Sequence, residues 1–131
     1  MKKMKRVIPV FLMLILMSAP VYADDYQDGE NAYRRGDYRT AFEKFMPLAE
    51  QGDAQSQWLV AGLYVRGMGV VRDYVQALKW PTIAGANGVE IGSIGRDILQ
   101  KQMTPDQINE AYRAAGEWMS NKKELPAPIF V

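Results

Sequence analysis

The sequence predicts an all-α fold built from repeated helix pairs. Residues 54–88 form a unit of 35 residues, and a shift of 36 residues places Asp37-Tyr38-x-x-Ala41 over Asp73-Tyr74-x-x-Ala77. Internal similarity at a period of this length is typical of solenoids of stacked helix pairs. Apolar residues recur at steps of three and four, and no segment shows the sustained alternation of a strand. Together these observations predict pairs at about residues 25–52, 54–88 and 89–121.

Local signals delimit the first three helices. The first is expected from about Tyr26 to Arg35, and Gly36-Asp37 turns the chain. Gly52 ends the second helix, because glycine readily takes the left-handed conformation at a helix C-terminus. A third helix is expected over 54–66. The second helix has an apolar stripe at Tyr38, Ala41, Phe42, Phe45, Leu48 and Ala49.

The second half of the chain predicts three more helices. After a loop over 67–72, Asp73 is positioned to cap the fourth helix, which ends near Gly88. The fifth is less regular, and we expect its apolar face to be formed by Ile91, Ile94 and Ile98. Thr104-Pro105, with Gln107 completing a capping box, starts the sixth. Its predicted stripe is Ile108, Ala111, Tyr112, Ala115 and Met119.

Residues 1–23 resemble a secretory signal peptide. A basic leader precedes the apolar run 7–17, and small residues Val21 and Ala23 stand three residues and one residue before the expected cleavage point. A membrane anchor is the alternative, but the run falls short of the roughly 20 apolar residues that a spanning helix needs. We therefore expect export to the periplasm, cleavage after Ala23, and no stable membrane anchor afterwards.

The charge balance argues against a nucleic-acid partner. The chain has 16 basic and 15 acidic residues, and four of the basic ones lie in the leader, so the remainder has 12 basic and 15 acidic residues and a net charge of −3. Nucleic acids and anionic membranes both select basic surfaces. The chain also has no cysteine, so its stability must come from packing without disulfides.

The middle unit resembles the Sel1-like repeat, a relative of the tetratricopeptide repeat. The match is carried by Ala54, Tyr64, Gly67, Gly69, Val70, Asp73, Ala77, Trp80, Ala84 and Gly88. The first copy looks more like a plain tetratricopeptide pair, and the third is degenerate and is interpreted as a cap. This resemblance implies a short right-handed α-solenoid of about three antiparallel helix pairs over residues 24–124, with a concave face.

Two prolines fall inside predicted helices. Each removes a backbone hydrogen bond, which costs about 3 kcal/mol in a helix interior. Pro47 lies late in its helix, whereas Pro81 directly follows Trp80, where the family normally has an aromatic or polar residue. Two interpretations of Pro81 stay open: a tolerated bend of the fourth helix, or a break that opens a pocket beside Trp80.

The sequence offers little for catalysis, and we predict no catalytic residue, no cofactor and no metal. It has no histidine and no cysteine, which removes the commonest general base, the thiol nucleophile and the usual zinc ligands. The acidic residues Asp24, Asp25, Asp28 and Glu30 could bind calcium weakly, but they are better explained as favouring the start of the first helix. A hydrolase that uses carboxylates remains as a minor alternative.

Partner binding is the function that these features favour. Trp58 lies one position away from the expected core stripe of the third helix, and Tyr33 and Arg66 could border the same concave face. The alternative for Trp58 is packing against the second helix. The tail 125–131 is apolar and proline-containing, and is expected to be extended.

We therefore expect an exported adaptor or regulator that binds a protein or peptide on its concave face. The alternative is an oligomeric structural component of the envelope, in which the solenoid ends associate with one another.

Overall fold

The computed structural model describes residues 21–89 and 93–124, and this part of the chain contains helices and no strand. The predicted leader up to residue 20 and the tail 125–131 lie outside the described residues. The all-α prediction is confirmed. The helices are α1 (Val21–Arg34), α2 (Tyr38–Glu50), α3 (Ala54–Arg66), α4 (Tyr74–Ala86), α5 (Ser93–Gln100) and α6 (Pro105–Glu124).

Three helices begin in the same way, with an aspartate whose side chain accepts the backbone N–H three residues later. Asp37, Asp53 and Asp73 cap α2, α3 and α4 respectively. The oxygen–nitrogen distances are 3.3 Å to Thr40, 2.9 Å to Ser56 and 3.1 Å to Gln76. Hydrogen bonding from Thr40 holds the pKa of Asp37 below its ordinary value. The shared cap explains why these three helices begin where the sequence predicts.

The start of α6 also follows its predicted capping box. The Thr104 hydroxyl accepts from the Gln107 N–H at 3.2 Å, and the Gln107 side chain accepts from the Thr104 N–H at 3.0 Å. By contrast, α1 begins five residues earlier than the predicted Tyr26. The predicted cleavage point after Ala23 therefore falls inside α1.

The helices stack in chain order up to α4, which then packs against both α5 and α6. Trp80 lies at the centre of the core with no exposed surface. Its ring centre is 6.0 Å from that of Trp118, in an edge-on arrangement. The indole nitrogen of Trp118 donates to a carboxylate oxygen of Glu50 at 2.9 Å, although the two residues are 68 positions apart. The last helix thus reaches back to the end of α2.

Tyr64 connects two neighbouring helices at the edge of this core. Its ring meets that of Phe42 edge-on, with ring centres 5.3 Å apart. Burial raises the pKa of the Tyr64 phenol, and the negative charges of Asp73 and Glu50 raise it further. Tyr64 therefore remains a neutral packing residue at physiological pH.

Two predicted core residues are instead exposed. The side chain of Ile98 is 55% exposed, because the adjacent Leu99 occupies the core position of α5. Tyr112 is 42% exposed, and its hydroxyl accepts a hydrogen bond of 2.7 Å from Gln100. On α5 the core position is therefore one residue away from the predicted one, whereas on α6 the predicted face is correct at Ala111 and Ala115 and fails at Tyr112.

Gly69 lies where the loop before α4 meets the start of α2. Its φ is +70°, in the left-handed region that favours glycine. A Cβ atom built there would lie 2.6 Å from the backbone nitrogen of Arg39, and closer still to the carbonyl oxygen of Tyr38. The glycine is therefore needed for the direct approach of two backbone segments as well as for the turn.

The first and last helices have polar outer faces. The acidic residues of α1 surround Lys44 of α2, whose ammonium nitrogen is 3.1 Å from Asp25 and 4.0 Å from Asp28. No helix in the described part of the chain has the length and apolar character needed to cross a bilayer. Exposed positions include Asp24, Gln27, Asp28, Asn31 and Arg34 on α1, and Asn109, Glu110, Tyr112, Arg113, Glu117 and Ser120 on α6.

Candidate functional site

A groove of about 300 Å³ runs along α3. The end of α1 and the helix α5 form its sides, and α4 contributes to its floor. It is therefore formed largely by the first helix of each predicted pair. Its lining residues are Tyr33, Trp58, Leu59, Ala61, Gly62, Val65, Arg66, Ala77, Pro81, Gly95, Ile98, Leu99 and Gln102.

Trp58 lies at one end of the groove and is 41% exposed. Its ring approaches α5, where a Cβ atom added at Gly95 would be 3.3 Å from the ring edge. The indole therefore contacts the opposite wall of the groove and still presents apolar surface to solvent. A large, partly exposed tryptophan in a concave surface is typical of residues that dominate binding energy.

Arg66 and Tyr33 lie together at another point of the groove. An Arg66 guanidinium nitrogen donates to the Tyr33 hydroxyl at 3.4 Å. Tyr33 is held in place by edge-on packing against Tyr38, with ring centres 5.3 Å apart. Within residues 21–89 and 93–124, Arg66 forms no ion pair. The three residues predicted as partner contacts thus all line one groove.

Pro81 is buried and lines the groove floor, within a helix that continues on both sides of it. Because proline has no N–H, the carbonyl of Ala77 lacks its usual helical donor. Ala77 lines the same groove. The sequence leaves two interpretations of Pro81, a tolerated bend of the helix or a break that opens a pocket. The structure shows a helix that is not interrupted at Pro81, and it also places the proline ring against the groove.

Sequence reasoning missed the contribution of α5. Ile98 faces the groove, and Gly95 allows Trp58 to approach. One signal was available: Ile98 and Leu99 are adjacent apolar residues on a short helix, so they cannot both face the same core. Predicting which of them turns outwards requires the position of α6.

The groove is mainly apolar, with no acidic residue among the residues that line it. The described residues also contain no group of three or more acidic side chains arranged as metal ligands. Hydrolysis by paired carboxylates would need two such groups facing one bound substrate. The chemistry available in the groove is instead that of binding: apolar contact, one cation and a few hydrogen-bonding groups.

Comparison with solved structures places the chain in a known fold class. It matches a protective antigen of uropathogenic Escherichia coli, described as displaying an SLR fold, with a TM-score of 0.68 and 26% identity. The match covers 88% of this chain and 27% of the antigen. The predicted resemblance to the Sel1-like repeat is confirmed, and the chain has the short helical solenoid fold of this class.

Two curated relatives are named as exopolysaccharide production negative regulators. The protein from Rhizobium leguminosarum bv. viciae is 36% identical over 70 residues, which is 53% of this chain and 26% of the relative. The protein from Rhizobium meliloti (strain 1021) is 34% identical over 68 residues, which is 52% of this chain and 25% of the relative. The matches thus span about a quarter of the length of each relative. No family model matches the chain.

Proposed function

We propose that this protein is an adaptor or regulator that binds a segment of a partner protein in the groove along α3. The observation that carries the proposal is the meeting of Trp58, Tyr33 and Arg66 in one apolar groove of about 300 Å³. A volume of this size lies at the lower end of the range for ligand-binding pockets, which is about 300–1,000 Å³. The names of the two rhizobial relatives support a regulatory role.

Photo-crosslinking from a single position provides a direct test. A photoreactive phenylalanine derivative at position 98 should capture a partner in cells, because Ile98 is 55% exposed in the groove. The same group at position 112 is the matched control, because Tyr112 is 42% exposed and does not line the groove. The adduct at position 98 should disappear when Trp58→Ala is added. The proposal fails if both positions capture the same proteins, or if Trp58→Ala leaves the adduct unchanged.

The alternative of a self-stacking envelope component finds less support. Helical repeats that associate through their ends need apolar surfaces there. The outer faces of α1 and α6 instead present mostly acidic, basic, amide and hydroxyl side chains, together with the aromatic ring of Tyr112. Such faces are typical of terminal repeats exposed to water.

We also propose that the protein acts in the periplasm after removal of residues 1–23. The supporting features are the basic leader, the short apolar run, and the small residues Val21 and Ala23. N-terminal analysis of the protein recovered from the envelope should give Asp24 as the first residue. A first residue of Met1, or recovery only from the cytoplasm, would contradict export.

A further inference from the structure

We infer that the groove along α3 selects a peptide segment that carries an aspartate or glutamate four residues away from a large apolar side chain. This inference rests on the proposed function and specifies the chemistry of the partner. The charge, the length and the polar groups of the groove each contribute to it.

The charge of the groove comes from one residue. Among the lining residues only Arg66 is ionised at neutral pH, and none is acidic. Its guanidinium forms no ion pair within the described residues, and its contact in the groove is the neutral hydroxyl of Tyr33. An arginine presents several donors in a planar arrangement that matches a carboxylate. The complementary group on a partner is therefore a carboxylate at this point.

The apolar part of the groove lies at a defined distance from that cation. Trp58 and Arg66 are eight positions apart on α3, and a helix rises 1.5 Å per residue, so they are separated by about 12 Å along its axis. An extended peptide advances about 3.3 Å per residue. A carboxylate at Arg66 and an apolar side chain between Trp58 and Ile98 are therefore about four residues apart on one extended segment, a spacing at which both side chains point to the same face.

The polar groups favour a peptide over a fatty acid. A fatty acid also combines a carboxylate with an apolar chain, but that chain has no carbonyl groups to accept a hydrogen bond. Gln102 lines the groove, and its side-chain oxygen already accepts from the Tyr74 hydroxyl at 3.4 Å. Its amide N–H groups are left to donate to a partner. A peptide carbonyl can accept from this group, whereas an acyl chain cannot.

Selection from a library of short random peptides displayed on phage tests this chemistry. The bait is the purified protein expressed from the whole chain, and the selected consensus is then synthesised with a fluorescent label. The expected consensus has an acidic residue four positions from a large apolar residue. Arg66→Gln should weaken its binding by about 1.5- to fivefold, which is the range for a solvent-exposed ion pair. Arg113→Gln is the matched control and should leave binding unchanged, because Arg113 lies on the outer face of α6.

Charge reversal gives the sharpest outcome. Arg66→Glu should reject the acidic consensus and accept the same peptide with lysine in place of the acid. The inference is overturned if the selected peptides show no acidic preference, if Arg66→Gln has no effect, or if a fatty acid displaces the peptide while Arg66→Gln weakens both equally. Binding that appears only after residues 125–131 are deleted would assign the groove to that segment, and would also overturn it.

These failures are distinguishable from failure of the proposed function. If the peptides lack an acidic preference but lose binding with Trp58→Ala, the groove is still a binding site and only its assigned chemistry is wrong. If the peptides bind equally well with and without Trp58→Ala, the groove is not the binding site and both proposals fail.

Discussion

Gly69→Ala should lower the free energy of unfolding by about 3–5 kcal/mol, a large share of the total for a domain of this size. Two costs combine in this substitution. Alanine must adopt a φ of +70°, and its Cβ atom must displace the backbone at Tyr38 and Arg39. Backbone atoms in a capped helix cannot rotate away as a long side chain can. The loop must therefore move away from α2, which separates the first pair from the second.

Gly36→Ala is the matched control for this prediction. Gly36 has a similar φ of +77°, but a Cβ atom there would meet nothing within 4 Å. Gly36→Ala should therefore lower the free energy of unfolding only by the conformational strain, which is about 1–2 kcal/mol. Urea unfolding followed by circular dichroism measures both variants. Equal losses for the two would show that the approach of Gly69 to α2 contributes no stability.

Trp80→Ala should lower the free energy of unfolding by about 3–5 kcal/mol, as expected when a fully buried large aromatic residue is removed. The indole fills the space between α4 and α6, where it packs edge-on against Trp118. Its loss leaves a cavity that a close-packed core cannot fully close. The variant should therefore be partly unfolded at physiological temperature.

Trp80→Phe separates shape from hydrogen bonding at this position. The Trp80 indole nitrogen is buried and has no hydrogen-bond partner among the described residues. Phenylalanine removes this unsatisfied donor and keeps most of the packing. The free energy of unfolding should therefore fall by less than about 1.5 kcal/mol. Circular dichroism is the appropriate measurement, because replacing Trp80 alters the intrinsic fluorescence. A loss as large as that of Trp80→Ala would mean that the indole nitrogen has a partner.

Most of the fold could be predicted because its boundaries are set by local chemistry. The capping aspartates act within three residues of the chain, so the starts of α2, α3 and α4 are visible in sequence. The close approach of Gly69 to Tyr38 and Arg39 could not be predicted, because it brings together segments that are about 30 positions apart in the sequence. Periodicity also placed Ile98 and Tyr112 in the core, since it defines a helix face without defining what covers it.

The candidate site was only partly accessible from the sequence. Trp58 could be identified because it lies off the core stripe of α3, and the repeat pattern placed Tyr33 and Arg66 nearby. The wall formed by Gly95 and Ile98 depends on how the short helix α5 packs against α4. No local signal specifies that packing, so the groove itself required the structure.

The bond between Trp118 and Glu50 has a consequence for how the chain unfolds. In a long solenoid each unit touches only its neighbours, so the ends can melt separately. Here α6 contacts α4 and also reaches the end of α2, which joins the last helix to the first pair. Loss of α6 would therefore expose the core at Trp80 and break the hydrogen bond to the end of α2 in the same event. Helices α1 to α6 should melt cooperatively in one all-or-none transition, which makes residues 21–124 a single thermodynamic unit despite their repeated sequence.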